Sequence, residues 1–151
     1  MINYIAIDPG KNGGIAYIED EQVRTLPMPE DLGEICSFFN EQRMKNKDIT
    51  LVIEDIPKFV RFIPGSTVAV MFYNYGYMCG AAQMARCKIV KVTPQKWQKD
   101  FSLGTKGDMT DSQWKNKLKA EASRLYPTID NLTLKTSDAL LILEYARRNN
   151  L

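Results

Sequence analysis

Two short apolar runs, INYIAID at residues 2–8 and ITLVIED at residues 49–55, each end on carboxylates, and this pair limits the possible folds more than any other feature. Runs of this length closed by polar or turn residues read as buried strands, and the first is followed at once by the turn pair Pro9-Gly10. GGIAYIED and QVRTLPM read as two further strands joined through Glu19, Asp20 and Glu21, which predicts a hairpin. Residues 30–45, with Leu32, Ile35, Phe39 and Met44 at helical spacing, predict a helix between the third and fourth strands. A long helical segment from about Thr67 to Arg86 leads to a fifth strand, KIVKV. Beyond it the pattern predicts a short helix at 93–100, a flexible connection SLGTKGDMT, a helix with Trp114, Leu118, Ala122 and Leu125 on one face, and a last helix from about Ser137 to Arg148.

This is an α/β order. A right-handed helical crossover would lay the fourth strand parallel to the first, so that both end at the same sheet edge. Asp8 closes one strand and Glu54 the other, so their carboxylates are expected to meet at that edge, where open α/β sheets commonly hold ligands. Asp55 competes with Glu54, but side chains alternate across a strand and one of the two must face away. A third acid comes from KTSDALLILEYARR. There Thr136 or Ser137 is expected to cap the last helix, putting Asp138 in its first turn. Singly, these acids also suit a turn, a strand end and a helix start. Together they form a hard oxygen donor set that suits magnesium, with manganese as a substitute. Two such ions about 3.5–4 Å apart can activate water and stabilise the leaving oxygen in phosphodiester cleavage.

Other chemistries are narrowed by what the sequence contains. There is no histidine, and Cys36, Cys79 and Cys87 show no CxxC spacing, which argues against a zinc site, a disulfide framework and the usual nucleophilic triads. Residues 1–55 carry 5 basic and 11 acidic side chains, a net −6, whereas residues 56–151 carry 15 basic and 7 acidic ones, a net +8. An acidic half joined to a basic half suits a metal site facing a polyanion. At 151 residues, 44% apolar and 25% charged, the whole of 1–151 is expected to form a single domain. The opening MINYIAIDPG has no basic leader, and the expected location is cytoplasmic.

The motifs IAIDPGKNGGIAYI, VIEDIP and KTSDALLILEYARR resemble the three acidic motifs of RuvC-type Holliday junction resolvases, and VTPQKWQKDF with the Lys106 region is similar to phage-type members of that family. The resemblance spans essentially the whole chain. It implies a ribonuclease H-like fold with a mixed five-stranded sheet flanked by helices. It also implies a homodimer that binds four-way DNA junctions and nicks two strands symmetrically, leaving 5′-phosphate and 3′-hydroxyl ends. Asp8, Glu54 and Asp138 then correspond to metal-binding catalytic acids. Many relatives carry a fourth acid three residues before the last of these, where this chain has Lys135, so a catalytic role for that ammonium is a further expectation.

The helical segment 67–86 is apolar nearly all round and carries Gly76 and Gly80 on one face, which fits either a subunit interface or burial within one protomer. Candidate DNA contacts are Lys58, Arg61, Lys91, Lys96, Lys99, Lys106, Lys115, Lys117 and Lys119. Phe59 and Phe62, set between charges, could stack on an unpaired base or form a plain hydrophobic lid. Three other functions fit parts of the pattern: cleavage of RNA-DNA hybrids, junction binding with little catalysis, and an actin-like nucleotide-binding fold. The last requires a second phosphate-binding motif that the sequence does not show.

Overall fold

The computed structural model describes residues 3–57, 62–130 and 132–151. Strands β1 (Asn3–Asp8), β2 (Gly14–Glu19) and β3 (Gln22–Pro27) form an antiparallel meander, while β4 (Ile49–Glu54) and β5 (Lys88–Val92) join in parallel, giving a mixed five-stranded sheet in the order β3-β2-β1-β4-β5. Asp20 and Glu21 both adopt positive φ, 48° and 64°, which matches the twist of a two-residue hairpin turn between β2 and β3. Pro27 cannot donate to a ladder and is found on β3, at the sheet edge.

Helices cover both faces. On one side α1 (Leu32–Lys45) and α2 (Gly65–Met84) pack on Ile5, Ile7, Ile15, Leu51 and Ile53. On the other side α3 (Pro94–Lys99), α4 (Asp111–Leu125) and α5 (Leu134–Asn149) close over Tyr4, Ala6, Ala16, Val52 and Val92. The alternation of a strand explains the division, since odd-numbered residues of β1 and β4 face α1 and α2 whereas Tyr4, Ala6 and Val52 face α5. No described helix is long and apolar enough to cross a membrane.

Some expectations shift in detail. Met44 is 82% exposed, because five residues from Phe39 is more than a third of a turn away from the core stripe of Ile35, Phe38, Phe39 and Gln42. The last helix begins at Leu134 with Thr133 as its N-cap, so Thr136 and Ser137 lie inside it and are buried. Asp138 therefore sits past the first turn. The long helix starts and ends two residues earlier than the apolar pattern indicates. All three cysteines are free thiols.

Candidate active site

Parallel pairing of Ile7 with Ile53 brings Asp8 and Glu54 level at the C-terminal ends of neighbouring strands. Strand alternation turns both toward the face covered by α5. Asp55 points the other way, where its carboxylate accepts from the Tyr75 hydroxyl of α2 at 3.1 Å. The turn after β1 is tight enough that a Cβ on Gly13 would lie 2.1 Å from the carbonyl oxygen of Asp8. A Cβ on Gly14 would meet the carbonyl oxygen of Lys135 at 2.7 Å, so glycine at this position lets the first turn of α5 approach the β1-β2 hairpin closely. Behind that contact, every residue from Thr136 to Leu143 is buried. The helix is thus fixed on the sheet with Asp138, 2% exposed, turned toward the two strand-end acids.

Two further side chains complete the cluster. The indole N–H of Trp97, on α3, donates to Glu54 Oε2 at 2.7 Å, and the Lys115 ammonium, from α4, is bonded to Asp138 Oδ2. Asp138 Oδ1 is buried with no hydrogen-bond partner among the described residues. Such an orphan costs about 1–3 kcal/mol.

Asp8 and Glu54 are held in an unfavourable electrostatic setting. Burial first, and the neighbouring Asp138 second, push Asp8 up to about 6, against the pull of Lys115 and the Gly10 backbone N–H. Glu54 is raised to about 7 by burial and by Asp8, with the Trp97 N–H acting in the opposite sense. Burial alone would lower Lys115, but the carboxylates of Asp138, Asp8 and Glu54 outweigh it and hold the ammonium protonated. One positive charge therefore faces three acids.

The donor set and the uncommitted oxygen of Asp138 fit a hard divalent cation, which would be held by Asp8, Glu54 and Asp138. Among the described residues no three Asp, Glu, Cys or His side chains already stand in a metal-ligating group, and Lys115 borders the cluster at Asp138.

Lys135, expected beside Asp138, instead lines a separate cleft with Lys11 and Asn12, and the ammonium that meets Asp138 belongs to Lys115. Among the DNA-contact candidates, Lys96 and Lys99 lie exposed on α3, and Lys106 lies in the following loop, paired with Asp111 at 2.5 Å. Lys117 and Lys119 extend along α4. Lys117 donates to the Leu103 carbonyl at 2.6 Å, so the connection expected to be flexible is tied to α4 at that point. Lys91 stands apart on the α2 side, 5.3 Å from the centre of the Tyr75 ring. Phe62 is 102% exposed, so its ring covers none of the described apolar surface. Lys58, Phe59 and Arg61 lie outside the described residues. Sequence reasoning missed the link from Trp97 to Glu54, and it assigned Lys115 to the DNA backbone rather than to the acids.

No family model matches the sequence, and no curated protein matches it. Among solved structures, the chain is similar to T. thermophilus RuvC in complex with Holliday junction substrate, with a TM-score of 0.66 at 14% identity, covering 99% of this chain and 96% of that one. The fold is RuvC-like. A second Thermus thermophilus RuvC structure agrees, with a TM-score of 0.62 at 14% identity over 98% of this chain and 96% of that one. The mixed five-stranded sheet flanked by helices is thus shared with RuvC over nearly the full length of both chains.

Proposed function

We propose that this chain is a divalent-metal-dependent endonuclease that nicks four-way and other branched DNA junctions symmetrically as a homodimer. The observation that carries the reading is the convergence of Asp8, Glu54 and Asp138 at one sheet edge, with a buried carboxylate oxygen left unbonded, on a RuvC-like fold. Magnesium or manganese bound there would supply Lewis acidity and a more acidic water. The chain's own residues do the rest. Trp97 orients Glu54, α5 holds Asp138 rigidly, and Lys115 offers a positive charge to a developing phosphoryl charge. Trp97 and Lys115 bring α3 and α4 to this edge, and the lysines of these helices and of the loop between them suit phosphate contacts.

Homodimer formation is supported by α2. Its inner residues Tyr75, Met78 and Ala82 are buried, while Phe72, Tyr73 and Met84 are exposed, and Cβ positions at Gly76 and Gly80 meet open space. An apolar stripe with a small-residue notch suits a second copy, and a symmetric pair would present two centres to two opposed strands.

Affinity measured by fluorescence anisotropy on a four-way junction, a linear duplex and an RNA-DNA hybrid, across a salt series, tests the substrate class. Binding to every substrate is expected to weaken steeply with salt, while the preference for the junction persists because it comes from dimer geometry. Equal affinity for junction and duplex at all salt concentrations, or preference for the hybrid, would contradict the reading.

A further inference from the structure

Across the sheet edge from the acids, a cleft of about 520 Å³ opens between the β1-β2 turn, the loop leading into α1, and the N-terminal half of α2. A second hollow of about 340 Å³ shares Pro9, Lys11, Val70 and Asn74 with it and extends it along α2 past Ser66 and Thr67. Their combined size is in the range of small-ligand sites, about 300–1,000 Å³.

The walls differ in chemistry. Ile35 and Met78, both 1% exposed, and Val70, 58% exposed, give an apolar floor. Lys11 and Lys135 bring two ammonium groups from distant parts of the chain, and neither is ion-paired among the described residues. Glu30 also lines the cleft and leaves it a net charge of +1. Asn12 and Asn74 add two amides able to donate and to accept. An apolar floor with cations and amides matches the base, phosphate and base edge of a nucleotide. The cleft also adjoins the acids. Gly10 lines its extension, and a Cβ there would come 3.9 Å from Asp8 Oδ1.

We propose that this cleft takes one unpaired nucleotide of the strand being cut, turned out beside the scissile phosphate, with its phosphate between Lys11 and Lys135 and its base over Val70 and Met78. The inference rests on the junction-nuclease reading and adds to it a specificity element. The amides of Asn12 and Asn74 meet the base edge, which makes them the groups that set sequence preference at the cut. It also gives Lys135 a role in holding substrate, apart from the metal site.

The test places 2-aminopurine singly at each position near the centre of a four-way junction and follows its emission on binding in EDTA. One position on each cut strand should brighten with the unmodified protein and with Asp138→Asn. It should stay dark with the Lys11→Ala/Lys135→Ala double variant, whose exposed substitutions spare the core. That variant should also bind the junction about tenfold more weakly, with the slope of log affinity against log salt reduced by about 1.4. Asn74→Ala should keep the emission change and broaden the range of sequences cut. Junction binding without brightening at any position, or brightening unchanged in the double variant, would overturn the cleft proposal while leaving the nuclease reading intact. Absence of junction binding altogether would overturn both.

Discussion

Replacing Asp138 with asparagine is expected to lower the rate of junction cleavage by at least about a thousandfold while leaving junction affinity within about threefold of the parent. The amide keeps the shape of the carboxylate and removes the charge, in a position 2% exposed at the centre of the acid cluster. Asp8→Asn and Glu54→Gln should behave alike, because the three side chains act as one donor set. The losses should not add, so the double variant Asp8→Asn/Asp138→Asn should be about as inactive as either single one. Lys115 loses its buried partner in Asp138→Asn, but its own side chain is 44% exposed and can return to water, so the fold should survive, as circular dichroism would check. Normal metal-dependent nicking by Asp138→Asn would remove the chemical basis of the account.

The second large effect concerns stability against pH. Asp8 and Glu54 are raised to about 6 and about 7 in the folded protein, above the ordinary values of 3.8 and 4.5, so the native state holds protons that the unfolded chain releases. Wherever the folded form binds more protons, stability falls as pH rises. The loss therefore begins near pH 4, runs through about 6 and about 7, and is complete above pH 8. For Asp8 alone it is about 3 kcal/mol, which for a chain of this size shifts the melting temperature by about 6–12 °C. In EDTA, Tm should fall between pH 5 and pH 8, and Asp8→Asn should raise Tm at pH 8 and flatten the dependence. Magnesium or manganese should restore Tm at pH 8 in the parent protein by binding only the native state, and should do much less in Asp8→Asn. A Tm independent of both pH and metal would show that the acids are not electrostatically coupled as described.

Much of this site could be read from the chain because it sits where simple periodicities end. Asp8 and Glu54 close strands whose apolar alternation is strong, and a parallel crossover is enough to bring them level. Asp138 was reached through a local capping pattern, and that pattern set the helix start too late. Leu134 and Lys135 extend the helix to an N-cap at Thr133, and the small hydroxyl residues 136 and 137 are spent on close packing rather than on capping. What the sequence did not reveal depends on long-range placement. Lys115 lies 23 residues from Asp138, and its approach is set by how α4 packs across α5 and by the ties at Leu103 and Asp111. Trp97 reads as one more core aromatic in a six-residue helix, and only the packing of α3 beneath the sheet edge reveals its N–H on Glu54. Lys135 was drawn toward the acids by its spacing from Asp138, whereas the β1-β2 turn and α2 create a second cleft that it lines.

The most direct measurement is single-turnover cleavage of a four-way junction labelled on each strand in turn, with linear duplex, flap and RNA-DNA hybrid in parallel, in magnesium, manganese and EDTA. Paired nicks in two opposed strands near the junction centre, with 5′-phosphate and 3′-hydroxyl ends, are expected only when metal is present. Tight junction binding without nicking in either metal, or cleavage of linear duplex or hybrid at a comparable rate, would contradict the junction-nuclease reading.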